Sequence, residues 1–280
     1  MITIPNCLYE GIELPRLLNI FPRLGSYLAS SEPVPLIPAY PWVAVEGIDG
    51  SGKSEFIRQL VRCLSEQGVV TKDFRMPGAT AFGEELRNIM KSEQPILTHP
   101  SVIVPAMAAN TMDVLERIVA PELRKVTGEV LPLGSPWLVS DRWPLLSGGV
   151  YQADYFQQMS DTPIQPSDLL LAYGPVCPPL IVYMWVSPQT SIRRRPDEQK
   201  DQFERMERRG VNAYRYEQLF CELQPERRVA NTEDTSFMLP AVFVIDNNQD
   251  MGDEERSAFL LAKAREVVDL VDSTIRRVAR

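Results

Sequence analysis

The chain has 280 residues, 44% apolar and 24% charged, with a net charge of −8 and a pI near 4.9. That length supports one large domain with a substantial core, and the acidity argues against broad, sequence-independent binding to nucleic acid. Cys7, Cys63, Cys177 and Cys221 are scattered without C-x-x-C spacing and read as reduced thiols, the single histidine, His99, leaves little scope for His-based triads or a His-rich metal site, and no apolar run reaches membrane-span length.

Residues 1–41 carry Pro5, Pro15, Pro22, Pro33, Pro35, Pro38 and Pro41, and Ser30 to Pro41 is a proline-rich linker. Leu14, Leu17, Leu18, Phe21 and Leu24 could form a short apolar helix face, which Pro22 weakens. A packed surface arm and a partner-docking segment both fit. The domain proper is read as residues 42–280. No basic n-region precedes an apolar stretch at the N-terminus, and with reduced thiols the chain reads as cytoplasmic.

Trp42-Val43-Ala44-Val45 is a β-branched apolar run, followed by Gly47-Ile48-Asp49-Gly50-Ser51-Gly52-Lys53-Ser54 and then an amphipathic segment over 54–67. Strand, glycine loop and helix in that order are what a phosphate-binding P-loop requires. Glycines let successive N–H groups turn towards an anion, and the helix adds its positive end. Lys53 would then reach the β- and γ-phosphates of ATP, and the Ser54 hydroxyl would ligate Mg²⁺.

The helix over 54–67 should bury Phe56, Ile57, Leu60, Val61 and Leu64, with Gly68 as its stop. Val69 to Phe74 reads as a second strand, Phe82 to Lys91 as a helix, and Val102 to Val126 as a long helix trimmed or kinked by Pro105 and Pro121. Trp137 to Ser140 is a third strand ending in Asp141-Arg142, a position where open α/β sheets place ligands. Residues 144–179 are poor in pattern apart from a short helix from Tyr151 to Met159. Leu180 to Val186 is a buried strand, Ser187-Pro188 opens a helix ending in Arg193-Arg194-Arg195, and a charged helix spans Asp201 to Leu223. Val242 to Ile245 is a fifth strand with Asp246-Asn247-Asn248-Gln249 as its exit, and a helix from Asp253 to Arg277 follows. The alternation predicts an α/β chain with a parallel, doubly wound sheet.

These motifs resemble those of the thymidylate kinase family. Val45 to Ser54 looks like its opening signature. Arg75-Met76-Pro77-Gly78-Ala79-Thr80 with Gly83-Glu84-Glu85-Leu86-Arg87 resembles its R-x-P-G-G-T…G-E-x-L-R stretch. Asp141-Arg142, with Ser147 and Tyr151-Gln152, is similar to its D-R…S…Y-Q block. The resemblance implies a three-layer α/β/α P-loop kinase with a five-stranded parallel sheet and a lid at about 188–205, acting on a small nucleotide as a homodimer. It implies that Gly47, Gly50, Ser51, Gly52, Lys53 and Ser54, with Asn248 and Gln249 beside the adenine, hold ATP. Asp141 would orient Mg²⁺ with Ser54, Arg75 and Arg142 would bind the acceptor phosphate, and Asp49 would lie near the acceptor sugar. Tyr151 would line the acceptor side, and Arg194 would act from the lid; a solvated helix face accounts for the triple arginine equally well.

One block departs from the family. Its F-x-x-(D/N)-R pattern, a ring that stacks on thymine and an arginine that bonds the base, falls here on Met107, Asn110 and Thr111. Met107 can cover a base with a soft apolar face, but Thr111 cannot replace a charged donor. The reading is therefore ATP- and Mg²⁺-dependent phosphorylation of a deoxynucleoside monophosphate, dTMP or another base. A kinase of a nucleoside or modified-base hydroxyl, and a non-catalytic nucleotide-binding relative in an assembly, are the alternatives.

Overall fold

The computed structural model describes residues 41–91, 100–123, 136–143, 147, 150–151, 178, 180–195, 210–217 and 241–278. The extension before residue 41, most of the proposed Tyr151 to Met159 helix, and residues 196–205 of the proposed lid lie outside them. Five strands, β1 (Trp42–Glu46), β2 (Thr71–Arg75), β3 (Trp137–Asp141), β4 (Leu180–Trp185) and β5 (Ala241–Asp246), form one sheet in the order β2-β3-β1-β4-β5. Every pairing is parallel, as the alternation of strand and helix requires.

Both faces of the sheet are covered, which is why its central strands read as unbroken apolar runs. On one face Val43, Val45, Val139 and Val182 meet Phe56, Leu60 and Leu64 of α1 (Lys53–Glu66). Leu260, Ala264, Val267 and Val268 of the last helix, Asp253–Val278, close the same layer. On the other face Trp42, Phe74 and Leu138 pack with Val114, Leu115 and Val119. Alternation along β1 sends Val43 and Val45 to one layer and Trp42 to the other.

The helices between are α2 (Ala81–Lys91), α3 (Pro100–Val114), α4 (Pro188–Arg194), and α5 over residues 210–217; the last helix is α6. Three elements differ from their sequence expectation. The second strand begins two residues late, because α1 ends in a backbone lock: Gly68 has φ 74°, Gly68 N donates to Ser65 O and Val69 N to Leu64 O, both at 2.9 Å. Val70 is left 62% exposed outside the strand. The long helix starts at Pro100, contains Pro105, and widens into a π turn over Leu115–Val119 before ending at Leu123. On α1, Ile57 and Val61 are only partly buried, and Cys63 takes a core position instead.

Every strand ends at the same edge, so Glu46, Arg75, Asp141, Trp185 and Asp246 share it. β1 lies where the strand order reverses, the crevice position of an open α/β sheet. Beneath that edge the Trp42 indole donates from Nε1 to Ser140 Oγ at 3.0 Å, fully enclosed. Ser140→Ala should cost about 1–3 kcal/mol, since it leaves a buried donor unsatisfied. Urea unfolding would show the midpoint falling at unchanged slope; an unchanged midpoint would contradict the role given to this pair.

Candidate active site

The loop between β1 and α1 is held from behind by two other elements. Gly52 has φ 94°, and a Cβ there would stand 2.5 Å from Asn247 Nδ2. That amide donates to Ser51 O at 2.8 Å, so the β5 exit clamps the loop. Gly50 has φ 76° and lies so close to α4 that a Cβ would meet Ser191 O at 2.7 Å. Ser191 Oγ donates to Asp49 O at 2.5 Å. The loop is thus a rigid turn of backbone, as a phosphate cradle needs.

Two cations lie side by side within it. Lys53 is buried, donating from Nζ to Gly47 O at 2.9 Å and Ile48 O at 3.0 Å, with Asp49 Oδ1 at 3.7 Å. Burial lowers its pKa, the Arg142 charge lowers it further, and Asp49, Asp141 and Glu46 oppose the fall. Arg142 holds φ 79°, a left-handed conformation uncommon for a residue with a side chain. Its Nη2 bonds Asp49 Oδ1 at 2.7 Å, its Nη1 donates to Gly47 O at 3.2 Å and Tyr216 OH at 3.1 Å, and its carbon lies 4.5 Å from the Tyr151 ring centre. Burial alone would lower the Arg142 pKa; Tyr151, Tyr216, Asp49 and Asp141 hold it well above its ordinary value.

Behind this pair sits Glu46, fully buried at the end of β1. It accepts from Trp143 N at 2.5 Å, Tyr216 OH at 2.7 Å and Ser147 Oγ at 3.1 Å. Burial pushes its pKa up, against the pull of Arg142 and these donors. Tyr216 stacks on Tyr183 at 5.7 Å and makes a T-shaped contact with Tyr151 at 6.1 Å. Glu46, Ser191 and Tyr216 have no role of their own in the sequence reading, and Asn247 enters it only as part of the β5 exit loop. The sequence holds one clue, an acid directly after the apolar run Trp42 to Val45, which a two-sided sheet can bury only with partners.

A cavity of about 930 Å³ opens on this edge. Asp49, Gly50, Gly52, Lys53, Ser54, Asp141, Arg142 and Arg194 line it, as do Arg75, Met107, Asn110, Thr111 and Tyr151. Gly47 and Ser51 lie behind its wall. Asn248 and Gln249 lie outside the lining: Asn248 Oδ1 accepts from Ser187 N at 2.9 Å, and Gln249 O accepts from Arg194 Nη2 at 3.2 Å. Asp141 Oδ1 is buried with no hydrogen-bond partner among the described residues. With the exposed Ser54 hydroxyl on the same cavity it fits a hard cation such as Mg²⁺, which takes oxygen ligands.

On the β2–β3 side, Arg75 Nη2 reaches both Glu84 oxygens at 2.7 Å, and that bond lowers the Glu84 pKa. Arg75 therefore lines the cavity already paired, where the sequence reading offers it to an acceptor phosphate. Thr111 Oγ1 donates to Met107 O at 3.0 Å, so its hydroxyl proton is committed to the helix. Among the described residues, Arg87 Nε and Asn110 Nδ2 are buried without partners in the same region.

A parallel five-stranded sheet with a P-loop at its switch point and two arginine-bearing flanks defines a P-loop kinase. The thymidylate kinase family model matches residues 45–239, and the chain belongs to that family. It is similar to the thymidylate kinase of Idiomarina loihiensis, 26% identical over 77% of this chain and 93% of the relative. That of Symbiobacterium thermophilum is 29% identical over 60% and 72%, and that of Nitrosomonas europaea 33% over 36% and 43%. The chain is a divergent nucleoside monophosphate kinase. No helix among the described residues is long and apolar enough to cross a membrane.

Glu46 supplies a pH test. Its native pKa lies above the ordinary value of 4.5, so the native state keeps a proton that the unfolded chain releases. Stability is then full at low pH and is lost as pH rises from the ordinary carboxylate range through the native pKa. Glu46→Gln, which imitates the protonated form, should gain stability relative to the parent as pH is raised. Urea unfolding at several pH values reads the difference, and parallel curves would contradict it.

Proposed function

We propose that the protein transfers the γ-phosphoryl group of ATP, with Mg²⁺, to the phosphate of a deoxynucleoside monophosphate. An acceptor phosphate oxygen bonds the γ-phosphorus as the bond to the β,γ-bridging oxygen breaks, leaving ADP and a nucleoside diphosphate. One observation carries this reading: a single cavity joins the P-loop lysine to Arg142, Met107 and Thr111.

The transferred group is already reactive, so positioning and charge neutralisation are the protein's task. Lys53 and the P-loop N–H groups would hold the donor phosphates, and Ser54 and Asp141 would hold Mg²⁺, which neutralises phosphate charge when bound. Arg142 would meet the acceptor phosphate; its pairing with Asp49 fixes its orientation. Asp49 would also face the acceptor sugar. Arg75 could add a second guanidinium after release from Glu84. A buried, aligned arginine supports an anionic acceptor over a neutral hydroxyl.

The base is the altered part. Met107 gives an apolar cover without ring stacking, and the Thr111 proton is already bonded. Both features support a base other than thymine as well as dTMP itself. Incubating the protein with ATP, Mg²⁺ and a panel of nucleoside monophosphates, nucleosides and DNA should yield ADP with a monophosphate acceptor. Lys53→Ala should lower that turnover about 100-fold or more. Turnover that is absent or independent of Lys53 would sink the enzyme reading. In the same assay, Met107→Phe with Thr111→Arg should raise dTMP turnover, and no gain would count against this placement of the base.

A further inference from the structure

At the β4–β5 end of the cavity two guanidinium groups come together. Arg194 closes α4, and Arg256 lies in the first turn of α6. Their protein contacts are few and mostly uncharged. Arg194 Nη2 donates to Gln249 O at 3.2 Å, and Arg256 Nη2 donates to Met251 O at 2.8 Å. The carboxylates nearby are exposed and well solvated: Asp253, 3.4 Å from Arg256 Nη1, and Asp250, which is engaged by Arg193 at 3.1 Å. Three N–H sites remain buried without a partner among the described residues: Arg194 Nε, Arg194 Nη1 and Arg256 Nε. Burial, then the Arg256 and Arg193 charges, lower the Arg194 pKa, and Asp250 opposes the fall only in part. Glu55, the acid nearest on α1, is engaged by Arg58 at 2.6 Å.

The placement is firm. Gln59 Nε2 donates to Ser257 Oγ at 2.9 Å, tying the first turn of α6 to α1 directly behind the P-loop. Sheet order separates the two ends as well. Residues following β2 and β3 and residues following β4 and β5 lie on opposite sides of β1; in the function proposed above the first group would serve the acceptor, which leaves the second for the donor. Partly compensated, buried guanidinium donors arranged in this way form a receptor for phosphate oxygens.

We infer that Arg194 and Arg256 together form a polyphosphate subsite at the donor end of the cavity, with Arg256 bonding phosphate oxygens of the nucleoside triphosphate. The anion chemistry stands on the two arginines; the word donor rests on the function proposed above. Arg256 belongs to none of the recognised motifs, because only the packing of α6 on α1 brings it to the loop.

Calorimetric titration of the full chain with tripolyphosphate, ADP and adenosine tests this, using the parent, Arg256→Gln and Arg256→Lys. Arg256→Gln should weaken tripolyphosphate and ADP about tenfold. Arg256→Lys should recover part of that loss, and adenosine affinity should not change. Tripolyphosphate affinity within twofold of the parent in Arg256→Gln would overturn the subsite. So would adenosine weakened as much as ADP, or a parent protein that binds no tripolyphosphate. A parent that binds tripolyphosphate in an Arg256-dependent way yet turns over no acceptor would uphold the subsite and overturn phosphoryl transfer.

Discussion

Lys53 and Arg142 are two cations that both donate to Gly47 O, one from the P-loop and one from the end of β3, and most of the site exists to make that arrangement tolerable. A buried charge is costly unless it is paired and hydrogen-bonded. Asp49 answers both, at 3.7 Å from Lys53 and 2.7 Å from Arg142. Glu46 sits behind them, and Tyr216 bridges Arg142 to Glu46 by accepting from one and donating to the other. The left-handed backbone at Arg142 is sustained by these contacts, since strain of that kind persists only where its surroundings fix it. Removing Asp49 leaves both cations without their carboxylate partner.

The same arrangement explains the division of labour along the sheet edge. β1 supplies the loop, and its neighbours on either side supply opposite ends of the cavity. Arg75, Asp141 and Arg142 leave β2 and β3; Arg194 and Arg256 follow β4 and β5, while Asn247 clamps the loop from behind. Helix packing keeps the halves in register: α1 and α6 share a core layer and a hydrogen bond between Gln59 and Ser257. Phosphate handling is distributed over several elements. In the proposed function, base recognition would fall to Met107, Asn110 and Thr111 of α3, which can change without disturbing the cradle.

This distribution decides what could be read in the sequence. Val43 to Ser54 declares itself because each requirement is local: β-branched residues for the strand, glycines for the turn, one lysine and one hydroxyl at fixed offsets. Asp141-Arg142 is legible for the same reason, a polar pair ending an apolar run. Tyr216, Asn247 and Arg256 are not legible, because their roles come from contacts across 170, 196 and other large separations made only by the sheet order. Arg75 shows a different limit. Its place on the cavity follows from its motif, but its pairing with Glu84 is set by how α2 turns back on β2. The π turn at Leu115–Val119 has no visible sequence signal, and we have no physical account of it.

The central claim is that one cavity holds a donor and an acceptor nucleotide at once, across a P-loop whose charges are already balanced. A bisubstrate compound, adenosine and a deoxynucleoside joined through five phosphates, tests this most directly. If both ends are engaged together, its dissociation constant should lie at least about 100-fold below that of either half, because linkage makes the second contact intramolecular. Affinity no better than that of ADP alone would contradict a shared cavity.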